Sequence, residues 1–528
     1  MPKVLLADKL PDRCVTMLRE AGFVVDSRPG LSEDQLAEAV RDARGVICRS
    51  GVKITAKVLE RAQRLEAICR AGVGVDNIDV EAASRKGIVV MNTPGGNTIS
   101  TAEHTFALLL ALARNIGPAY IAMREGRWEK RKFIGTQLAG STLGIVGLGR
   151  IGQEVAKRAL AFGMRVVAYD PYVGGETVGK TAVELVESLE DVLRACDFLT
   201  VHVPENEQTT GMIGKQQLAL MKKTACVINC ARGAVVDQEA VLAAVKRGKL
   251  RGAAFDVFVK EPPESFAFTC SDGILATPHL AASTEEAQLA VAVEAAEIII
   301  DALKRGHFRN AVNIVSLPLE EMKAIQPYCN LALQLGRLVA QLSTGRPQAL
   351  QIACRGSVAQ LTIEPIVNNG VLGVMRSSLG PGVNVVSAPL LARDRGIRVT
   401  GSSTLGTEAG FTDLVEIKLV TSVGVTEAAG TLFGRNHPRV VLIDDFSVEI
   451  APEGHVLLVF HSDVPGLIGK VGDALGDAGV NIARMASGRK EAGGMALLAL
   501  NLDTRCSRGT LEKISRFSVV RRLVAVEL

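Results

Sequence analysis

Short apolar runs alternate with helical patterns over residues 1 to about 97. The apolar runs predict four buried strands, at 4–7, 45–48, 66–69 and 88–91. Segments with helical spacing predict three helices, at 11–21, 32–41 and 80–86. Strands that alternate with helices predict a doubly wound parallel sheet.

Glycines follow the next apolar run directly. Leu143–Val146 reads as a buried strand, Gly147-x-Gly149-x-x-Gly152 follows it, and a helical pattern covers 151–162. The first glycine permits a tight turn, the second lets the backbone approach a pyrophosphate, and the third lets the helix pack against the strand. The segment predicts a dinucleotide site at the N-terminus of a helix.

An acidic residue closes this unit. The strand 165–169 ends at Asp170, whose carboxylate can accept hydrogen bonds from the adenine ribose and repel a 2′-phosphate, which favours NAD over NADP. We expect cofactor contacts from the turn and from the ends of later strands, at Gly147, Gly149, Arg150, Ile151, Gly152, Asp170, Val203, Pro204, Cys230, Ala231, Arg232, Asp256, His279 and Ala282. Asp256 is expected to orient the nicotinamide carboxamide; the alternative is a turn aspartate.

Two capping boxes suggest how the chain divides. Ser100 with Glu103 and Ser283 with Glu286 each precede a helical pattern, the second running to residue 304. If these helices cross between two lobes, the chain has four parts: a substrate lobe of 1–97 with 287–312, a dinucleotide domain of 98–286, an α/β module of 313–452, and a tail of 453–528. The tail predicts the order βαββαβ, which is ferredoxin-like. The third part has no catalytic pattern and reads as a structural or oligomerising module.

Composition narrows the function classes. The chain has 528 residues and a net charge of only +4, which predicts neither a nucleic-acid partner nor a membrane surface. No apolar run approaches membrane-spanning length, and the N-terminus lacks the shape of a signal peptide. The ten cysteines are scattered without metal-ligand spacing, so we expect no metal and a reducing, cytoplasmic compartment.

Three polar residues follow successive predicted strands. Arg232 can hold a carboxylate, Glu261 can pair with an imidazole, and His279 can exchange a proton near neutral pH. An alcohol oxidation with NAD requires these groups, because a base must remove the hydroxyl proton while a cation holds the substrate. Alone, each residue could equally be structural or a surface ion.

Further positive charge indicates an anionic substrate. Arg49 and Arg70 end two predicted strands of the first lobe, and Gly72-Val73-Gly74 offers backbone donors beside them. Arg131 and Lys132 lie in a basic run that is either a solvated face or a source of charge for a neighbouring subunit's cleft.

These motifs also carry a resemblance. Residues 147–152, 228–237, and 256–262 with 278–284 make the first 312 residues similar to the D-isomer-specific 2-hydroxyacid dehydrogenases. The tail resembles an ACT domain, and the whole length resembles the long members of the family that oxidise 3-phosphoglycerate in serine synthesis. The resemblance implies NAD as cofactor, a homotetramer, substrate anions near the two arginines of the first lobe, and catalytic roles for Arg232, Glu261 and His279.

The same resemblance places a serine-binding site in the tail. His461, Asp463 and Asn481 match the serine-binding positions, and we expect them on neighbouring strand ends where they can converge. The alternative is that Asp463 and Asn481 only cap a turn and a strand.

Other functions compete with this interpretation. A hydroxypyruvate or glyoxylate reductase of the same family would be shorter, and a nucleotide-sensing protein like a corepressor would lack the ACT-like tail. A degenerate regulatory copy is disfavoured by the complete catalytic motifs.

Overall fold

The computed structural model describes residues 1–174, 182–406, 410–434 and 436–528. Within these residues the strands form four sheets of five, seven, six and four strands. The first two sheets are parallel, the third is mixed, and the fourth is antiparallel. The predicted fold class is confirmed: two doubly wound lobes precede an α/β unit and a ferredoxin-like unit. The predicted boundaries between the four parts stay predictions.

The first sheet has the order β2-β1-β3-β4-β5. Its strands are β1 (Lys3–Leu6), β2 (Val24–Ser27), β3 (Gly45–Cys48), β4 (Ala67–Arg70) and β5 (Val89–Asn92). Its connecting helices are α1 (Asp12–Glu20), α2 (Glu33–Ala39), α3 (Ala56–Arg61) and α4 (Val80–Arg85). Successive side chains of β1 enter separate cores on opposite faces, so a continuous apolar run is what a doubly covered strand requires. The sequence pattern missed β2, which lies at the sheet edge and buries little, and the short α3.

The second sheet has the order β12-β11-β10-β9-β6-β7-β8. Its strands are β6 (Thr142–Val146), β7 (Arg165–Tyr169), β8 (Val183–Leu185), β9 (Phe198–Val201), β10 (Cys226–Asn229), β11 (Gly252–Phe255) and β12 (Ile274–Ala276). Its described helices are α5 (Thr98–Ala113), α6 (Ile116–Arg124), α7 (Arg150–Ala161), α8 (Leu189–Ala195), α9 (Lys215–Leu220) and α10 (Gln238–Lys246). Strand order reverses between β6 and β9, and ligands of such sheets bind outside the carboxyl ends of the strands at that point.

A long helix returns the chain to the first sheet. Helix α11 (Glu285–Arg305) buries Val291, Ala295 and Ile298 in the core that also holds Val4 of β1. It therefore closes one face of the first lobe, although it follows the second lobe in sequence.

The predicted capping boxes are both wrong. Helix α5 begins at Thr98, so Ser100 lies inside it, where its hydroxyl is 2.8 Å from the hydroxyl of Thr284. Helix α11 is capped one residue later than predicted, because Thr284 rather than Ser283 accepts the amide of Ala287, at 3.1 Å.

The third sheet has the order β14-β13-β15-β16-β17-β18. Its strands are β13 (Pro347–Gly356), β14 (Arg398–Thr404), β15 (Asp413–Thr421), β16 (Gly424–Phe433), β17 (His437–Ile443) and β18 (Phe446–Ile450). Its helices are α12 (Leu319–Leu342), α13 (Glu364–Leu379) and α14 (Ser387–Asp394). Helices α12 and α13 pack so closely that a Cβ at Gly336 would lie 2.3 Å from the carbonyl oxygen of Gly370.

The fourth sheet has the order β20-β21-β19-β22. Its elements run β19 (His455–Ser462), α15 (Leu467–Asp477), β20 (Ile482–Arg489), β21 (Met495–Leu502), α16 (Arg508–Ser515) and β22 (Val520–Glu527). This is the predicted order βαββαβ, with the apolar faces of α15 and α16 packed on one face of the sheet.

Among the described residues, no single helix is long and apolar enough to cross a membrane. Helices α5 and α6 meet the length and composition criterion only as a pair, and they are bent by 66° relative to each other.

Candidate active site

The glycine turn after β6 leaves the start of α7 open. Gly147 has a φ of +92°, and a Cβ there would meet the carbonyl oxygen of His202 at 2.7 Å. A Cβ at Gly152 would lie 2.2 Å from the carbonyl oxygen of Gly147, whereas Gly149 faces open space. The turn thus requires glycine for reasons of geometry, and its open side suits a pyrophosphate at the N-terminus of the helix, beside Arg150 and Ile151.

Asp170 lies against this turn. Its Oδ2 accepts the amide of Leu148 at 2.8 Å and its Oδ1 accepts the amide of Tyr172 at 2.9 Å. Each carboxylate oxygen can accept more than one hydrogen bond, so the group is held in place with capacity left for ribose hydroxyls.

Val203 and Pro204 follow β9 on the other side of the turn. A Cβ at Gly147 would meet Val203 Cγ1 at 2.9 Å, which places Val203 beside the turn as predicted from its position. The preceding His202 is partly buried, and burial lowers its pKa to about 4. Its imidazole is therefore neutral, and Nε2 lies 3.0 Å from Thr200 Oγ1.

His279 and Glu261 form a direct pair. His279 Nδ1 lies 2.6 Å from Glu261 Oε2, and Glu261 Oε1 accepts the amide of Phe258 at 2.9 Å. Burial alone would raise the pKa of Glu261, but the hydrogen bonds from His279 and Phe258 outweigh burial and lower that pKa. The carboxylate is therefore ionised at neutral pH and fixes the orientation of an imidazole whose side chain is 46% exposed.

The backbone at His279 is unusual for a non-glycine residue. Its φ is +54°, in the left-handed region. Its amide donates to the carbonyl of Asp256 at 2.8 Å. The loop after β12 is thus held by the end of β11.

Arg232 reaches from the second lobe to the first. Its Nε lies 3.2 Å from Asp76 Oδ2, and a Cβ at Gly74 would come within 1.8 Å of its Nη2. Asn229 shapes the loop that carries Arg232: its side chain accepts the amide of Ala231 at 3.0 Å and donates to the carbonyl of Arg232 at 2.9 Å. The guanidinium lies at the junction of the two lobes.

Arg70 lies beside Arg232 and is mostly buried. Its Nε has no hydrogen-bond partner among the described residues. Burial lowers the pKa of Arg70, and the positive charges of Arg232 and Arg49 lower it further. Arg70 is level with Cys48 of β3, so Arg49 follows directly at the neighbouring strand end. A Cβ at Gly72 would lie 2.5 Å from Arg70 Nη1. Because Gly72 and Gly74 have no side chains, Arg70 and Arg232 can occupy the space beside them.

Polar residues at other strand ends hold these loops, and sequence reasoning missed them. Asp8 accepts the amide of Arg49 at 2.6 Å, and Asn77 donates to the carbonyl of Arg49 at 2.7 Å. Asn92 donates to the carbonyl of Val73 at 2.5 Å. The signal was present, because Asp8 and Asn92 are polar residues at the carboxyl ends of apolar strands.

Asp256 is completely buried and its carboxylate is bonded to the loop that follows β12. Oδ1 accepts from Thr277 Oγ1 at 2.6 Å and from the amide of Leu280 at 2.7 Å, and Oδ2 accepts the amide of Ala281 at 2.9 Å. These partners lie 21 to 25 residues along the chain, so the carboxylate joins the ends of two strands and does not cap a turn of its own. The contact with the nicotinamide carboxamide stays a prediction, and Oδ2 has the capacity for one more donor.

Cys230 and Ala282 have different exposures. Cys230 is buried next to Ala231, and burial raises the pKa of its thiol to about 12, so it stays protonated. Ala282 is half-buried between the His279 loop and the cap of α11.

The basic run has its own local contacts. Lys130–Phe133 is a short 3-10 turn, in which Lys132 pairs with Glu129 at 2.5 Å and Arg131 is exposed. Its proposed role at the substrate stays a prediction.

The tail residues do not converge within one chain. His461 is level with Ala496 of β21, and Ala496 is level with Arg489 at the end of β20. Asn481 precedes the start of β20 and is eight residues before Arg489, so it lies more than about 20 Å away at roughly 3.3 Å per residue. The predicted convergence of His461 and Asp463 with Asn481 is wrong for a single chain. Strands β19 and β20 run parallel, so the end of β19 and the start of β20 lie at opposite edges of the sheet.

Each end of the tail sheet has its own polar contacts. Asp463 accepts from Arg489 at 3.1 Å and from the amide of Gly493 at 3.2 Å, while Asn481 donates to Asp503 at 2.7 Å. The amide of Gly493 and Arg489 lower the pKa of Asp463. His461 Nε2 is buried and has no hydrogen-bond partner among the described residues.

Comparison with known proteins follows the same division. Residues 106–281 match the NAD binding domain of D-isomer specific 2-hydroxyacid dehydrogenases, residues 324–444 match the D-3-phosphoglycerate dehydrogenase intervening domain, and residues 455–516 match the ACT domain. A D-3-phosphoglycerate dehydrogenase from Methanocaldococcus jannaschii is 40% identical over 528 residues, which cover 100% of both chains. The chain belongs to the D-3-phosphoglycerate dehydrogenase family of D-isomer specific 2-hydroxyacid dehydrogenases.

More distant members share parts of the molecule. The rat D-3-phosphoglycerate dehydrogenase is 40% identical over 408 residues, which cover 76% of each chain. The NAD-bound 3-phosphoglycerate dehydrogenase of Entamoeba histolytica has a TM-score of 0.51 and 28% identity, and covers 60% of this chain and 99% of its own. A D-lactate dehydrogenase from Aquifex aeolicus, solved with NAD and lactic acid, has a TM-score of 0.51 and 29% identity, and covers 58% of this chain and 98% of its own.

Membership of this family makes the chain an NAD-dependent oxidoreductase, as the sequence predicts. The roles of individual residues stay predictions.

Proposed function

We propose that the chain oxidises 3-phospho-D-glycerate to 3-phosphohydroxypyruvate with NAD, the first step of L-serine synthesis. The full-length relatives named D-3-phosphoglycerate dehydrogenase support this function. The cluster of Arg49, Arg70 and Arg232 carries the proposal, because a substrate with both a carboxylate and a phosphate needs more positive charge than a simple 2-hydroxy acid. The extra units after residue 312 also argue against a shorter glyoxylate or hydroxypyruvate reductase.

The glycine turn and Asp170 fit an NAD molecule. The space at Gly149, the start of α7 and the held carboxylate of Asp170 match a pyrophosphate and an adenine ribose. NAD bound there supplies the acceptor for the hydride of the alcohol carbon.

His279 is the proposed base. Glu261 accepts a hydrogen bond from Nδ1–H, so Nε2 is left to take the proton of the substrate hydroxyl. The ionised Glu261 then stabilises the imidazolium that forms. Arg232 holds the carboxylate next to the reacting carbon, since a guanidinium binds carboxylates in two-pronged geometry.

Steady-state rates with two substrates test this function. We expect kcat/KM for 3-phosphoglycerate to exceed that for D-glycerate, which lacks only the phosphate, and NAD to be preferred over NADP. A chain that turns over D-glycerate or glyoxylate better than the phosphorylated substrate would contradict the proposal. Asp170→Ala, which removes the repulsion of a 2′-phosphate, should narrow the preference for NAD.

We further propose that L-serine binds between the tails of two copies. Strand β20 pairs only with β21 among the described residues, and Met485 on it is 52% exposed. Antiparallel pairing of β20 with the β20 of a second copy would bring Asn481 of one copy beside His461 and Asp463 of the other. Asp463 would hold the ammonium group and Asn481 the carboxylate.

The basic run supports a second contact between copies. Next to it lies a group of exposed apolar side chains, which is larger than the single exposed side chains that are normal on a protein surface. The group consists of Ile116, Tyr120, Met123, Trp128 and Ile134. A copy docked there would place Arg131 and Lys132 near a neighbouring cleft. These two contacts together support the homotetramer; a cytoplasmic location stays a prediction.

A further inference from the structure

His104 joins the first crossing helix to the loop that carries His279. It lies on α5, and its Nε2 is 3.2 Å from Asp256 Oδ1 and 3.1 Å from Thr277 Oγ1. Its side chain is 20% exposed and Asp256 is fully buried, so solvent does not replace this contact.

The donors in this cluster can be assigned from its geometry. Thr277 donates its hydroxyl proton to Asp256 at 2.6 Å, so its oxygen is left as an acceptor. Asp256 is an acceptor as well, since the hydrogen bonds from His104 and Thr277 outweigh burial and lower its pKa. His104 Nε2 therefore carries the proton, which it shares between the two oxygens.

Asp256 connects His104 to the loop that carries His279. Its carboxylate accepts the amides of Leu280 and Ala281, and its carbonyl accepts the amide of His279 at 2.8 Å. Three successive amides of the loop thus depend on one aspartate, whose side chain is held from the other side by His104.

A second link lies one turn earlier on the same helix. Ser100 bonds to Thr284, the cap of α11, at 2.8 Å. The face of α5 that carries Ser100 and His104 therefore holds the chain at both ends of the segment 277–284, between β12 and the second crossing helix.

We propose that His104 is a positioning residue for His279: through Asp256 and Thr277 it holds the loop in the left-handed conformation that directs the imidazole into the cleft. In this role His104 acts through Asp256 and Thr277, the two side chains it contacts. The inference rests on the proposed function, because it assigns His279 the role of base.

Paired substitutions test this role. His104→Leu removes the donor at similar size, whereas His104→Gln keeps an amide donor near the position of Nε2. Thr277→Val and Thr277→Ser form the matching pair on the other side of the cluster. Glu103→Gln on the same helix is the control, because Glu103 contacts Arg158 and lies on the exposed side.

We expect kcat for 3-phosphoglycerate to fall about 10- to 100-fold in His104→Leu, since a misplaced base is ineffective even when substrate binds. KM and the affinity for NADH should change little, and His104→Gln should retain most of the wild-type kcat. In the same way, kcat should fall in Thr277→Val and stay near the wild-type value in Thr277→Ser. The kcat of Glu103→Gln should match the wild type. Deuterium uptake over 277–284 should rise in His104→Leu and return towards wild type in His104→Gln.

An unchanged kcat in His104→Leu, or an equal loss in His104→Gln, overturns the inference. If His104→Leu does not fold, the two Thr277 variants test the inference instead. Equal kcat values for Thr277→Val and Thr277→Ser would then overturn the inference. If the wild-type chain fails to oxidise 3-phosphoglycerate, the proposed function fails, while deuterium uptake over 277–284 still tests the positioning role.

Discussion

Two glycines determine how closely the arginines of the cleft can pack. The space that a side chain would need at Gly72 and Gly74 is occupied by Arg70 and Arg232. Gly74→Ala would push Arg232 away from the lobe junction. We expect kcat/KM for 3-phosphoglycerate to fall about 100-fold, because small displacements of a positioning group have effects of this size.

The control for this substitution is Gly382→Ala. A Cβ at Gly382 meets no atom within 4 Å, and its φ is not in the left-handed region. Steady-state kinetics of both variants separate the steric effect at Gly74 from any general effect of replacing glycine. Equal activity of the two variants would show that Arg232 adapts.

Arg49 is expected to recognise the phosphate that distinguishes this substrate from D-glycerate. Arg49→Ala should raise KM for 3-phosphoglycerate about 10- to 100-fold, the loss typical of one hydrogen bond between charged groups. KM for D-glycerate should change much less. If both substrates lose equally, Arg49 holds the shared carboxylate or the fold.

The lowered pKa of Glu261 determines the pH response. The carboxylate stays ionised down to a pH below its ordinary pKa, so its support for His279 is present at neutral pH and is lost only in strong acid. In Glu261→Gln the imidazolium has no anionic partner and releases its proton more readily. The acid limb of the kcat/KM profile should therefore move to lower pH, with reduced rate throughout; an unmoved limb would contradict the pairing.

At the scale of elements, the cap of α11 gives a direct comparison between sequence pattern and structure. Thr284 accepts the amide of Ala287, whereas the capping box predicted Ser283. Thr284→Ala should lower the free energy of unfolding by about 1 kcal/mol, and Ser283→Ala by much less. Chemical denaturation of the two variants measures the difference, and the reverse order would reject the structural cap.

Sequence patterns predicted the parallel strands well because strands buried on both faces are continuous apolar runs. Strands β3 and β7 were placed correctly to the residue. Patterns failed where contacts between distant segments decide the outcome. Ser100 has the spacing of a cap but bonds to Thr284, and β2 is a strand only because it pairs with β1.

The same limit applies to the site. Arg232, Glu261 and His279 were found because each follows a strand, and parallel strands end at one edge. Asp76 and Asn229 were missed, since nothing local shows that they hold Arg232. The predicted convergence of His461, Asp463 and Asn481 was wrong because it used only the order of the strands. The directions of the strands determine which strand ends lie at the same edge of the sheet.

At the scale of the whole molecule, the tail geometry makes the serine response a property of two copies. Asp463→Ala and Asn481→Ala should each abolish inhibition by serine without lowering the uninhibited rate. When the two variants are co-expressed, mixed assemblies contain one intact site, so part of the inhibition should return. No recovery in mixed assemblies would indicate a site within one chain.

Assembly should also depend on the later units. A truncated chain ending at residue 316 keeps the hydrogen bonds of Asn313 to the first lobe. We expect sedimentation to show a dimer for this chain and a tetramer for the full length. Equal numbers of subunits in the two assemblies would show that residues 317–528 have no role in oligomerisation.

The crowded guanidinium groups of the cleft have a consequence for handling the protein. Arg70 is held among like charges with a buried nitrogen that has no partner, so any small divalent anion can serve as its counter-ion. Sulfate or phosphate buffers should therefore raise the melting temperature by binding the folded state, and should compete with substrate at the same time. The buffer in which this protein is most durable should be one in which it works least well.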